Sequence, residues 1–148
     1  MIILLLMGTL HNSLPSQKVR NAFNKKFPSA VNINWQKIPY SDNWKAFFNL
    51  KGRNATASFT KEAEWYESTL EITANELNDE VKFAVKRDYP RCEIISAILT
   101  EGPIMTWDLV KLKCGDQIIE ESYDYRGMSF PPKITYLSRK LLPINRTV

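Results

Sequence analysis

Apolar positions along the chain follow two periods. Val19, Ala22, Phe23 and Phe27 fall at i, i+3, i+4 and i+8, one stripe of a helix, and Leu77, Val81, Ala84, Val85 and Tyr89 draw a similar stripe later. Pro28 and Pro90 end both helices, because a residue before proline avoids the helical region. Thr73 or Asn75 is the expected cap of the second helix, with Asp79 and Glu80 in its early turns. After each proline the period becomes two. Val31, Ile33 and Trp35 alternate with polar residues, 39–43 reads as a hairpin loop, and Trp44, Ala46, Phe48 and Leu50 alternate next. A turn at Gly52, Arg53 and Asn54 leads to Ala55, Ala57 and Phe59, and a fourth strand is expected near 64–72. The second half repeats this at 92–100, 105–113 and 118–125, with a weaker stretch after Gly127. One apolar face per strand, with short turns between strands, predicts an antiparallel sheet covered on one side by the helices.

The two halves align with each other. Val19, Ala22, Phe23, Lys25, Phe27 and Pro28 match Val81, Ala84, Val85, Arg87, Tyr89 and Pro90 at an offset of 62. Trp44 and Gly52 match Trp107 and Gly115 at 63, and Phe59 matches Tyr123 at 64. The expected fold class is α+β, a tandem repeat of a helix followed by three or four antiparallel strands with the helices on one face. The expected organisation is a signal-like segment or N-terminal arm at 1–16, a first repeat at 17–73, a second at 74–130 and a basic tail at 131–148.

Charge is unevenly distributed along the chain. The 148 residues carry a net charge of +4, but Met1–Lys61 has nine basic residues against Asp42 alone. Glu62–Asp124 has 15 acids and six basic residues, and Tyr125–Val148 has five basic residues and no acid. Such polarity pairs parts of one chain or steers a charged partner. The opening Met-Ile-Ile-Leu-Leu-Leu-Met is too short to span a bilayer and looks like the apolar core of a secretory signal without its basic start. A buried arm is the other reading.

The succession of Phe27-Pro28, Ala30-Val31, Trp35, Trp44, Ala57, Phe59, Ala63, Trp65, Thr69 and Ile72, continued by Leu77, Val81 and Tyr89-Pro90, resembles the PepSY-like, beta-lactamase-inhibitor-like proteins of Bacteroidetes. The resemblance covers roughly 18–130. It implies a tandem α+β fold like that of the beta-lactamase inhibitor protein and export to the periplasm or outside. It does not imply inhibition of a beta-lactamase, since fold does not give function. Where the family has an aspartate after the phenylalanine and a glycine before the tryptophan, this chain has Thr60 and Ala63. Where the family has Leu-Pro before the second helix, it has Leu77-Asn78.

Candidate chemistry is sparse. His11 is the only histidine, so a histidine-dependent triad or multi-histidine zinc site is not expected. There is no Gly-rich phosphate loop, nucleophile elbow or calcium loop. No catalytic residue, metal or cofactor is assigned. Glu62, Glu64, Glu67 and Glu71, and the pair Glu120 and Glu121, read as solvated faces. A hairpin centred near Pro103 would set Cys92 opposite Cys114, and an exported protein would oxidise such a pair to a disulfide; a one-residue slip in register would instead leave two thiols on opposite faces.

Aromatic residues carry the remaining signal. Trp35, Trp44, Phe48, Phe59 and Trp107 read as core. Phe47 lies on the opposite face, Tyr40 in a hairpin loop, and Trp65 with Tyr66 and Tyr123 with Tyr125 each place one ring outward. Exposed aromatics on a polar sheet suit a protein partner, so Tyr40, Phe47, Trp65, Tyr66, Tyr123 and Tyr125 form the candidate binding set. The resulting expectation is an exported, non-enzymatic protein that binds another protein through its open sheet face. The alternative is a small ligand or envelope component at the junction of the repeats. Nucleic-acid binding through Lys18, Arg20, Lys25, Lys26, Lys37, Lys45, Lys51 and Arg53 is disfavoured by the acidic centre.

Overall fold

The computed structural model describes residues 13–129. The apolar start at 1–12 and the tail at 131–148 lie outside the described residues. Ten-residue α1 (Gln17–Lys26) leads into β1 (Ala30–Lys37), β2 (Trp44–Leu50), β3 (Arg53–Phe59) and β4 (Trp65–Ile72). A 3-10 turn (Ala74–Glu76) precedes α2 (Asp79–Asp88), followed by β5 (Glu93–Glu101), β6 (Thr106–Cys114) and β7 (Gln117–Asp124). The strands follow chain order, β1 to β7, in one antiparallel sheet. The chain divides into two compact units, with the break between Leu70 and Glu71 inside β4 and with Glu101–Ile104 belonging to the first. Each has its own core.

In the first unit, the Ser16 hydroxyl accepts from the Val19 N–H at 3.4 Å, and the Phe27 N–H returns to the Phe23 carbonyl at 2.8 Å. The Phe23 ring is fully buried, with its centroid 5.0 Å from that of Phe48, 5.2 Å from Trp35, 5.3 Å from Phe27 and 6.2 Å from Phe59. Edge-on ring contacts of this kind add to the area they bury. Trp44, Ala46, Ala55 and Ala57 complete the core, as the alternation in β2 and β3 predicts.

The expected alternation fails in β1. Val31 and Ile33 are exposed, while Ala30 and Trp35 pack on the core. The register against β2 shifts between Val31 and Asn34, and Asn32 takes φ +55°. An extra residue in a left-handed conformation reverses which parity faces inward. Val31 opposes Asn49, yet Trp35 still reaches Ala46.

In the second unit the helix begins later than the sequence suggested. Asn78, rather than Thr73 or Asn75, is its cap, with Oδ1 accepting from the Val81 N–H at 2.8 Å. Thr73 instead caps the 3-10 turn reciprocally with Glu76. The core consists of Leu77, Val81, Ala84, Val85, Ala97, Val110, Leu112 and Tyr123. Trp107 does not join it. Asp108, Val110 and Leu112 hold the inward parity of β6, which turns Trp107 to the other face.

Two turns close similarly. After β7 the Asp124 N–H donates to the Met128 carbonyl, and Asp124 Oδ1 accepts from the N–H groups of Arg126 and Met128, each at 2.9 Å. After β3 the Thr60 N–H donates to the Glu64 carbonyl, and Thr60 Oγ1 accepts from the Glu64 N–H at 3.1 Å. Gly127 and Ala63 occupy the left-handed position, with φ +72° and +74°. A Cβ on Gly127 would lie 2.5 Å from the Glu80 carbonyl oxygen, so only glycine fits there. The strand expected after Gly127 is represented by one antiparallel bridge, Tyr123 to Ser129, where the described residues end.

Two substitutions test this account by urea denaturation. Phe23→Ala should lower stability by about 3–5 kcal/mol, because the ring leaves a cavity among four others. Ala63→Gly should raise it by up to about 1 kcal/mol, the left-handed penalty of alanine less the added entropy of glycine. A destabilised Ala63→Gly protein would contradict the turn geometry.

Candidate binding face

The face of the first unit opposite α1 is built from outward residues of β1 to β4. Asn34 opposes Phe47, which opposes Thr56, which opposes Thr69. One step along, Gln36, Lys45, Ser58 and Glu67 form a second row. Thr56 and Thr69 hydroxyls hydrogen-bond across the ladder at 2.8 Å. The register between β3 and β4 then slips. Ser58 faces Glu67 and Phe59 faces Trp65, which leaves Tyr66 as the extra residue. A bulge of this kind re-aims its side chain, and Tyr66 joins the outer face.

Phe47 is 37% exposed, a large apolar ring on an otherwise polar surface. With Tyr66, Lys45, Glu67 and Pro39 it lines a groove of about 230 Å³ whose floor includes the buried Ser58. Among the described residues neither Lys45 nor Glu67 has an ion-pair partner. At one end of the groove stands the loop between β1 and β2, over which a more open hollow of about 450 Å³ shares Lys37, Ile38 and Pro39. The loop is tied down internally. Ile38 N–H donates to the Asn43 carbonyl at 2.9 Å, and the Ser41 hydroxyl donates to the Ile38 carbonyl at 3.1 Å. Asp42 bridges Lys37 at 3.1 Å and Lys61 at 3.7 Å, and the Lys37 hydrogen bond holds its carboxyl below the usual carboxylate range. Tyr40, at φ +59°, projects wholly into solvent.

The six candidate aromatics therefore separate. Phe47 and Tyr66 share the groove, and Tyr40 lines the adjoining open hollow. Trp65 lies on the core face, packed against the first core, with Lys26 Nζ 3.7 Å from its ring centroid. Tyr123 is completely buried and offers nothing to a partner. Tyr125 is exposed because β7 ends at Asp124, and Arg126 lies 5.5 Å from its ring. Tyr125 belongs to the second unit and its carbonyl accepts from Asn78 Nδ2.

The second unit holds features the sequence reading passed over. Glu121 is not on a solvated face but 5% exposed, on the core-facing parity of β7 with Ile119 and Tyr123. Its neighbour Glu120 does face outward and pairs with Lys111 at 2.9 Å. Tyr89 donates its hydroxyl to Glu121 Oε2 at 3.3 Å, and Asp108 lies directly opposite Tyr123. Burial pushes the Asp108 and Glu121 carboxyls up from their ordinary values. Strict alternation from Val110 and Ile119 was the signal that pointed both acids inward. Cys92, just before β5, and Cys114, at the end of β6, form a disulfide with Cα atoms 4.4 Å apart.

No protein-family profile matches the chain, and no curated protein matches it either. Solved structures do. A BLIP-like protein from Bacteroides fragilis superposes with a TM-score of 0.73 at 22% identity, covering 89% of this chain and 95% of that one. A DUF2874 family protein from Bacteroides uniformis gives 0.74 at 17% identity, over 86% and 96%. The fold is BLIP-like. A third structure with it, from Bacteroides eggerthii and described as a periplasmic protein, gives 0.72 at 17% identity, over 80% and 88%. Among the described residues of this BLIP-like chain, no helix is long and apolar enough to cross a membrane.

The disulfide has a direct test. The folded, unreduced protein should expose no thiol to a titrating reagent even in denaturant. Replacing both cysteines by serine should cost about 3 kcal/mol, the loop-closure value for a loop of this length. Two titratable thiols in the unreduced protein would contradict the bond.

Proposed function

We propose that this chain is an exported, non-enzymatic binding protein, inhibitor-like in kind, that holds a partner protein against the open face of its first unit. The carrying observation is the pairing of Phe47 and Tyr66 in one groove on a helix-free sheet face, with Tyr40 exposed in the adjoining hollow. Aromatic anchors ringed by polar groups are the usual energetic centre of a protein interface. The groove, at about 230 Å³, lies below the range of roughly 300–1,000 Å³ typical of small-ligand pockets. The larger hollow is lined by one loop and open to solvent, whereas small ligands are mostly enclosed. Phe47 and the Tyr66 bulge suit a side chain inserted from a larger body.

The reading includes a duplicated origin. Ser16 and Asn78 cap the two helices at equivalent positions, Phe27 and Tyr89 close them alike, and the Thr60 and Asp124 turns share their hydrogen bonds. It also includes kinship with the PepSY-like proteins and passage to the periplasm or beyond. The apolar start and the periplasmic description of the Bacteroides eggerthii protein support export.

The test is capture from a cell-envelope extract, followed by a binding measurement with the purified captured protein. Phe47→Ala and Tyr66→Ala should each weaken that binding by about tenfold or more, the hot-spot scale. Both variants should keep near-native stability, and Tyr40→Ala should have the smallest effect. If all three bind the captured protein as the unaltered chain does, the open face is not the binding surface.

A further inference from the structure

Among the described residues, the core of the first unit contains no buried carboxylate, whereas the equivalent layer of the second unit contains two. Where β2 puts Trp44 inward, with Ala46 and Phe48, β6 puts Asp108 inward, with Val110 and Leu112. Where β3 puts Ala57 and Phe59 inward, β7 puts Glu121 and Tyr123 inward. At the helix ends Phe27 gives way to Tyr89. Asp108 and Glu121 are 6% and 5% exposed, and the fully buried Tyr123 hydroxyl has no hydrogen-bond partner.

We infer that the second unit is proton-responsive: Asp108 and Glu121, held on the core-facing side with Tyr89 and Tyr123, let it pack tightly when they are neutral and loosen it when they ionise.

The groups facing this cluster are few. From α2 come the Tyr89 hydroxyl on Glu121, and Asp88 and Arg87, which are bonded to each other at 2.6 Å and act on Tyr123 from a distance. From β7 come Glu121 and Tyr123, and from β6 Asp108. From β5 come Ala97 and the partly buried Ile94, which carry no charge. No basic side chain is bonded to either buried acid among the described residues.

An unpaired buried carboxylate favours its neutral form. Burial raises the Asp108 carboxyl, and it raises that of Glu121 despite the opposing Tyr89 hydrogen bond. The sign follows from linkage. A folded group that holds its proton more tightly than the unfolded chain does contributes stability at low pH, and that stability is lost as pH rises through its folded value. Asp124 runs the other way. Backbone N–H bonds from Met128 and Arg126 lower it, so its contribution is lost as pH falls.

Hydrogen exchange of the full chain tests this, with protection factors corrected for the intrinsic pH dependence. Protection at Val81, Ala84 and Val85 in α2 should rise at least about threefold from pH 8 to pH 4, near the ordinary carboxylate range, relative to Val19 and Phe23 in α1. Asp108→Asn should remove most of that rise, and Glu121→Gln should do so independently if the first variant folds poorly. Asp124→Asn should instead lower protection equally at pH 5 and pH 8, where that carboxyl is ionised, and less at pH 3. A parallel response in α1 and α2, or a rise that survives both Asp108→Asn and Glu121→Gln, would overturn the inference.

Discussion

A helix of ten residues does not persist alone in water, because too few hydrogen bonds follow the costly first turn. α1 and α2 therefore depend on what holds them down. Each is capped at its start by a side-chain oxygen, Ser16 or Asn78, and closed at its end by an aromatic residue whose N–H returns to the carbonyl four positions back. Between these ends each presses an apolar stripe onto its strands, Val19 and Phe23 in one case, Val81, Ala84 and Val85 in the other. Without that burial neither the helices nor the one-sided sheets would be stable.

The two units meet this constraint with different chemistry. The first uses ring on ring, with Phe23 touching Phe27, Trp35, Phe48 and Phe59. The second uses smaller aliphatic groups, a disulfide and one buried tyrosine, with Asp108 and Glu121 interrupting the apolar layer. An aromatic core gains stability at any pH in the ordinary range. A core containing unpaired acids is stable only to the extent that those acids stay neutral. Phe47 and Tyr66 thus stand on strands backed by an aromatic core, while the buried acids lie in the second unit.

The elements themselves were legible. Helical stripes at Val19–Phe27 and Val81–Tyr89, and alternation at Trp44–Leu50 and Ala55–Phe59, are local patterns that sterics and burial impose on any such chain. Pairing of Cys92 with Cys114 followed from counting residues around one hairpin. What was misread depended on single-residue slips. The left-handed Asn32 turned Val31 and Ile33 out, and inward Asp108 turned Trp107 away from the core. The Tyr66 bulge moved a ring into the groove that strict alternation would have placed elsewhere. Of the candidate surface, Phe47 and Tyr40 were readable because one lies on the polar parity of a clear strand and the other in a loop. Tyr125 was not, because its exposure turned on where β7 ended, and Tyr123 is buried on the core-facing parity of that strand.

The α+β class, the order of the elements and the two helix stripes are written in the sequence, as is a histidine count of one. These follow from composition and short-range periodicity, which each residue carries with it. Only the tertiary structure decided which parity of β1, β4 and β6 faces inward, which aromatics share the groove, and that Asp108 and Glu121 are buried without a basic partner. A bulge shifts the face of every residue beyond it, and the burial of a charge is set by what neighbouring strands and helices place over it, so neither can be read from one segment alone.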